Sequence, residues 1–153
     1  ESSYNDYVSI DTELEFIQKY IELQQLKEND KFSLETTISN DVETSDTLIP
    51  AMLIQPFLEN SIEHGFGNID YKGKIELNFE IRNNDLCIMI KDNGAGLNKE
   101  SQNPNKHISR AMQITKDRLY LLNKEKKSNA SFSVNTNEPN GVKIEIILPL
   151  IYK

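Results

Sequence analysis

The sequence is short of the residues that constrain a chain most strongly: one cysteine, no tryptophan, five prolines and six glycines in 153 residues, with only two histidines. A single thiol, Cys87, cannot close an internal disulfide, and this favours a reducing compartment, the cytoplasm. No apolar run approaches the ~18 residues of a membrane-spanning helix. Nor does the chain open with the charged, apolar and small-residue regions of a secretion signal. Basic residues are in the minority, 17 Lys and Arg against 24 Asp and Glu. The resulting charge of −7 argues against non-specific nucleic-acid binding, which depends on neutralising phosphates. There is no internal repeat and no low-complexity tract. The first residue is Glu1 rather than methionine, so a piece of a longer protein is expected.

What is present suffices for one core: 37% of the residues are hydrophobic and 27% charged, at a length that calls for one compact domain. The charge is uneven. From Lys99 to Lys127 eight basic residues face three acidic ones, a local +5 that leaves −12 for the rest. Such a run is commonly a solvated helix face; the alternative is a segment facing an anion.

Apolar spacing predicts the elements. Leu14, Ile17 and Ile21 recur as on a helix from Thr12 to about Leu26, with Thr12 and Glu15 in capping-box positions. Phe32, Leu34, Thr36 and Ile38 alternate as in a strand, and Ser39 to Thr47 reads as loop. Pro50 suits the first turn of a helix carrying Ala51, Ile54, Leu58 and Ile62, which Pro56 should kink. Lys74 to Arg82 and Leu86 to Lys91 form a hairpin around Asn83, Asn84 and Asp85. After a polar loop from Asn98 to Lys106, a third helix carries Ala111, Ile114, Arg118 and Leu121 to about Asn123. Ser131 to Thr136, a turn at Pro139, Asn140 and Gly141, and the alternation Val142, Ile144, Ile146, Leu148 close the chain as a second hairpin. Helices interspersed with hairpins, without a regular strand-helix-strand repeat, imply an α+β, two-layer α/β sandwich.

Two short stretches carry chemistry. In Gln55-Pro56-Phe57-Leu58-Glu59-Asn60-Ser61-Ile62-Glu63-His64-Gly65, helical spacing brings Asn60, Glu63 and His64 near one face. An Asn carbonyl is a hard oxygen ligand of the kind Mg²⁺ accepts, although a lone Asn on a helix is more often merely exposed, and His64 equally suits a helix C-terminus. In Lys91-Asp92-Asn93-Gly94-Ala95-Gly96-Leu97, directly after a strand, the glycines permit close backbone approach and Asp92 can accept a hydrogen bond from an exocyclic amine; alone, Asp-Asn-Gly is also an ordinary turn. Neither a P-loop nor a dinucleotide fingerprint is present.

Taken together and in this order, Gln-Pro-Phe-Leu-Glu-Asn and Asp-Asn-Gly-Ala-Gly resemble the N-box and G1-box of the GHKL (Bergerat) ATP-binding fold. The segments Val8-Ser9-Ile10, Glu13 to Ile17, Tyr20 to Leu23 and Ile49 to Pro56 are similar to LytS-type sensor histidine kinases, so that the likeness runs from about Val8 to Pro149. The resemblance implies a mixed, mostly antiparallel sheet covered by helices. Residues 1–28 would form a linker helix after an absent phosphoacceptor region, and residues 29–153 the catalytic domain. It further implies ATP and Mg²⁺, with Asn60 as metal ligand, His64 near the phosphates and Asp92 on the adenine amino group. Gly94 and Gly96 would let the nucleotide sit close, and both Asn60 and Asp92 are expected to line an open cleft.

Four departures from the family pattern stand out. No glycine lies between Asn98 and Leu122, where relatives carry a glycine-rich lid; Ser109 to Met112 would take that position, with helix N–H groups and Arg110 meeting phosphate. Glu63 stands where relatives generally have Lys, and Val142 where they often have Thr. Neither His64 nor His107 sits in an upstream phosphoacceptor motif, so the γ-phosphoryl would pass to a histidine outside this chain. The resemblance implies partnership with the phosphoacceptor and dimerisation helices of the same protein and with a response regulator, no nucleic acid, a homodimer when full-length, and the cytoplasmic side of a membrane-anchored bacterial protein. The alternatives are a degenerate scaffold that binds nucleotide weakly or not at all, and an anti-sigma-factor kinase of the same fold, against which the helix from Thr12 to Leu26 argues.

Overall fold

A computed structural model describes residues 6–96 and 102–153, with the side chains of 102–109 excepted. Strand β1 (Tyr7–Ser9) leads directly into helix α1 (Ile10–Lys27), and β2 (Phe32–Ile38) follows. A short strand β3 (Leu48–Pro50) precedes helix α2 (Gln55–Asn60), which continues as a π-helical turn over Ser61–Gly65. The hairpin β4 (Gly73–Arg82) and β5 (Asp85–Asp92), helix α3 (Gln102–Lys126) and the hairpin β6 (Ser131–Thr136) and β7 (Val142–Pro149) complete the chain.

Five strands form one sheet in the order β2-β4-β5-β7-β6, with β2 parallel to β4 and the other neighbours antiparallel. This is the α+β architecture expected, a mixed and mostly antiparallel sheet with helices on one face. The β4–β5 turn uses Asn83 and Asn84, both at positive φ (53° and 67°), the backbone that a two-residue hairpin needs to match the strand twist. Period-two alternation turns Ile75, Leu77 and Phe79 of β4, Leu86, Ile88 and Ile90 of β5, and Val142, Ile144, Ile146 and Leu148 of β7 into one buried cluster. Ile10, Ile17 and Ile21 of α1, Phe57 and Leu58 of α2, and Ala111, Leu119 and Leu122 of α3 close that cluster from the helical side. The same alternation makes Asp92 the next inward-facing residue of β5 after Ile90, which is how a carboxylate reaches the edge of the core.

Local expectations changed where a long-range contact competed with spacing. Helix α1 begins at Ile10, two residues before Thr12: Ser9 is its N-cap and its side chain accepts the Thr12 amide at 3.1 Å. The pairing of Val8 with Ile49 ends a strand at Ser9, and the Ile10 and Asp11 amides are taken up by the carbonyls of Thr47 and Thr44. Pro50 does not start a helix. It ends β3, opposite Tyr7, and a turn over Ala51 to Ile54 intervenes. Pro56 therefore falls in the first turn of α2, where its missing amide costs nothing, and no kink results. The polar stretch expected as loop up to Lys106 is helical from Gln102 onward, because nothing in a glycine-free segment interrupts the helix and Pro104 is tolerated in its first turn. Residues 97–101 lie outside the described set.

The opposite face of the sheet is polar. Arg82 donates to Glu80 at 3.0 Å and to Glu145 at 3.4 Å, an exposed cluster of the kind worth little in water. Beneath it lies Cys87, 1% exposed, whose thiol is pushed up to about 11 by burial first and by the Glu145 carboxylate second. In an unfolded chain the thiol titrates near ~8.5, so its contribution to stability is present below that pH and is lost as pH rises toward the folded value. Native Cys87 should consequently react with iodoacetamide at pH 8 roughly a hundredfold more slowly than the urea-unfolded chain does, as followed by mass spectrometry.

Candidate functional site

Asp92 is 6% exposed, and a buried carboxylate persists only if donors are aimed at it. Oδ1 accepts the Gly94 amide at 2.9 Å and the Val142 amide at 3.1 Å, and Oδ2 accepts the Ser61 hydroxyl at 2.6 Å. The Asp92 carbonyl in turn accepts Asn137 Nδ2 at 2.8 Å. A carboxylate offers about four acceptor positions, so one remains open on Oδ2.

Asp92 lines a narrow pocket together with Phe57, Asn60, Ser61, His64, Gly65, Gly96, Val142 and Ile144. Its walls are aromatic and aliphatic around one buried acceptor. The helical half of the lining comes from the end of α2 and the π-helical turn, whose closing bond runs from the Phe66 amide to the Ser61 carbonyl at 3.0 Å. Turns of this kind are rare and recur at functional sites; here it brings Asn60, Ser61, His64 and Gly65 to one wall.

The Asp-Asn-Gly loop is braced on both sides. Asn93 accepts the Lys74 amide through Oδ1 at 2.7 Å and donates through Nδ2 to the Lys72 carbonyl at 3.2 Å. The Tyr71 hydroxyl donates to the Asn93 carbonyl. Across the pocket, the Ala95 amide donates to the Gly65 carbonyl at 2.8 Å, tying the loop to the helical wall. Gly94 is required by this contact, since a Cβ there would stand 2.6 Å from the Gly65 oxygen. Gly141, at φ +112°, passes so close to the Asp92 carbonyl that a Cβ would lie 1.8 Å from its oxygen.

Of the residues singled out from sequence, Asn60, His64, Asp92 and Gly96 line one pocket. Asn60 and His64 are half-buried on its wall; Asp92 is 6% exposed, so the expectation that Asn60 and Asp92 both line an open cleft fails for the aspartate. Gly94 is buried against Gly65 instead of lining the slot. Arg110 is exposed on α3 and is not part of the lining, and the Ser109 side chain lies outside the described set. Because α3 begins at Gln102, Ser109 to Met112 lie well inside it, and the helix N–H groups expected to meet phosphate there are engaged by the helix itself. Glu63 is exposed and its charge is felt by Tyr20 of α1, whose hydroxyl is raised by burial and then by Glu59 and Glu63. Sequence reading missed Ser61, which its place beside Asn60 signals, and Asn137, for which nothing local is a signal. A wider groove, between β1 and the C-terminal half of α3, shares no lining residue with this pocket.

No family model matches the chain. Among curated proteins, the sensor protein LytS of Oceanobacillus iheyensis is 31% identical over 152 residues, covering 93% of this chain and 25% of that protein. The LytS of Staphylococcus epidermidis is 31% identical over 93 residues, covering 61% of this chain and 15% of that one. The chain thus spans a quarter or less of the length of these relatives. Among solved structures, the histidine kinase domain of the Erythrobacter litoralis EL346 blue-light activated histidine kinase superposes with a TM-score of 0.62 at 17% identity, covering 88% of this chain and 59% of that one. The mycobacterial sensor histidine kinase MprB does so with 0.62 at 15% identity, covering 97% and 99%.

The hydrogen-bond pattern around Asp92 separates its substitutions. Asp92→Asn keeps an oxygen for the Gly94 and Val142 amides and an amide for Ser61 to accept, so a loss within about 1 kcal/mol is expected in urea unfolding. Asp92→Ala strands both buried amides and should cost about 2–4 kcal/mol by the same measurement. Gly94→Ala, which drives two backbones apart, is expected to destabilise by at least ~2 kcal/mol.

Proposed function

We propose that the chain is a GHKL catalytic domain of the LytS-type sensor histidine kinases, and that its pocket binds ATP with Mg²⁺ and presents the γ-phosphoryl to a histidine outside this chain. The observation that carries this reading is the open acceptor position on buried Asp92 at the end of an apolar slot. An adenine amino group satisfies it, whereas a 6-oxo purine would set oxygen against oxygen. Phe57, Val142 and Ile144 supply the apolar contact for the base.

Asn60 is the proposed metal ligand. A hard ion of this kind is carried mainly by ligand oxygens, with one Asn carbonyl added. His64, on the same wall, would lie toward the phosphates. Gly96 at φ +85° permits close approach, and Gly94 serves by letting the loop meet Gly65. Ser109 and Arg110 complete the proposed phosphate contacts, the Arg110 guanidinium supplying charge in place of helix N–H groups. Glu63, the chief reason to consider a degenerate scaffold, is not among the lining residues.

Mg²⁺-ATP, when bound, supplies the transferable phosphoryl group and neutralises its developing charge. The residues of this chain perform no covalent step: they orient the base, fix the metal end of the nucleotide and leave its terminus exposed, so positioning and electrostatics supply the rate. In this reading residues 1–28 link the domain to phosphoacceptor and dimerisation helices of the same protein, which acts as a homodimer, passes phosphate to a response regulator, and holds this domain on the cytoplasmic side of a membrane. No described helix is itself long and apolar enough to cross one.

Calorimetric titration with a non-hydrolysable ATP analogue, with and without Mg²⁺, tests the reading. Loss of a hydrogen bond to a charged group should make Asp92→Asn weaker by about 10- to 100-fold in both conditions. Asn60→Ala should erase only the gain that Mg²⁺ confers. Equal binding by all three proteins would refute the assignment.

A further inference from the structure

Glu13 lies on the buried face of α1 beside Ile10, Ile17 and Ile21, is 2% exposed, and has no place in the nucleotide reading. An apolar side chain would pack there without the cost of burying a carboxylate, several kcal/mol per ion when uncompensated. Its compensation comes from one short segment. Glu13 Oε1 accepts the Met52 amide at 3.1 Å, and the Ile54 amide adds to the field that favours the charged carboxylate. Burial pushes the carboxyl up, while these two amides and the Arg118 charge pull it down. From the other side, Arg118 of α3 donates to the Ala51 carbonyl at 2.5 Å. Between the two charged groups Met52 sits at φ +60°, a conformation that a non-glycine residue keeps only when its surroundings impose it.

The turn held in this way runs directly into α2. Ile54 is the N-cap of that helix, no side chain caps it, and Asn60 stands at its end, followed by Ser61 and His64. The pocket therefore has two halves that meet at the Ser61–Asp92 and Ala95–Gly65 bonds but are placed by different elements. Asp92, Val142 and Ile144 belong to the sheet; Asn60, Ser61, His64 and Gly65 belong to a helix whose entry is set at the Ala51–Ile54 turn.

We propose that Glu13 is a positioning residue for the metal and phosphate half of the site: together with Arg118 it clamps the Ala51–Ile54 turn and thereby sets where Asn60 and His64 stand. The proposal rests on the nucleotide reading for its functional consequence and on the clamp geometry alone for its structural one. A shift of α1 would then reach the metal end of the site before it reached the base end.

Two measurements on the intact chain and on Glu13→Ala and Glu13→Gln test this. In hydrogen exchange without nucleotide, Glu13→Ala should exchange the amides of residues 55–65 at least about tenfold faster while β5 keeps its native rate, and Glu13→Gln, which retains an oxygen for the Met52 amide, should stay within about threefold of native. In titration with the ATP analogue, Glu13→Ala should lose about tenfold of the affinity gained from Mg²⁺ and change Mg²⁺-free affinity by less than about twofold. A purely structural role would weaken both conditions alike and speed exchange in β5 as much as in 55–65; that result overturns the proposal, as does native exchange in Glu13→Ala. If Glu13→Ala does not fold, the Gln variant decides: exchange in 55–65 within about threefold of native with β5 at its native rate supports the clamp, and acceleration of β5 as large as that of 55–65 overturns it. Should the native protein bind no analogue, the nucleotide reading fails by itself and the exchange measurement still decides the clamp.

Discussion

A buried carboxylate with three donors organises this protein. Asp92 ends the central strand on the core side, where an ionised group without partners would be untenable, and its partners come from three separate places: the loop after β5, the start of β7 and the π-helical turn after α2. Satisfying it joins the sheet to the helix that carries Asn60. The same requirement explains the glycines. Gly141 lets β7 pass over the Asp92 carbonyl and Gly94 lets the loop touch Gly65, in both cases because the chain must approach itself more closely than a Cβ allows.

In the reading proposed above, the remaining open acceptor turns a structural necessity into a recognition element. Two backbone amides and the Ser61 hydroxyl hold the carboxylate in one orientation. Around this rigid end the helical wall is secured by contacts of a different kind, namely the Ser61 hydroxyl, the Ala95 amide and the Glu13–Arg118 grip on the preceding turn. The Asp92 end of the pocket thus depends on strand register and the Asn60 end on helix placement, one from each layer of the sandwich.

Much of the architecture was legible locally. Alternation in β2, β4, β5 and β7 and the Asn83-Asn84 turn are short-range signals, and they survive because one face of the sheet is buried along its whole length. The errors share a cause. Pro50 and the start of α1 were misread because β1 and β3 pair across forty residues, and helical spacing in Ala51, Ile54 and Leu58 reflects burial of a turn and a helix alike. The loop before Ser109 was assigned from polarity, which does not distinguish a loop from an exposed helix.

The sequence by itself determined the two motifs, their order and the inward parity that sends Asp92 toward the core, since side-chain alternation along a strand is a property of the backbone. It also determined that Asn60, Ser61 and His64 travel together on one helix. Only the tertiary structure decided that Ser61 donates to Asp92, that Asn137 and Gly141 embrace its carbonyl, that Glu63 stands clear of the lining, and that Glu13 and Arg118 hold one turn between them. Each of these joins residues distant in the chain, and such pairs are selected by the geometry of packed layers and the need to satisfy buried polar groups, neither of which has a local imprint.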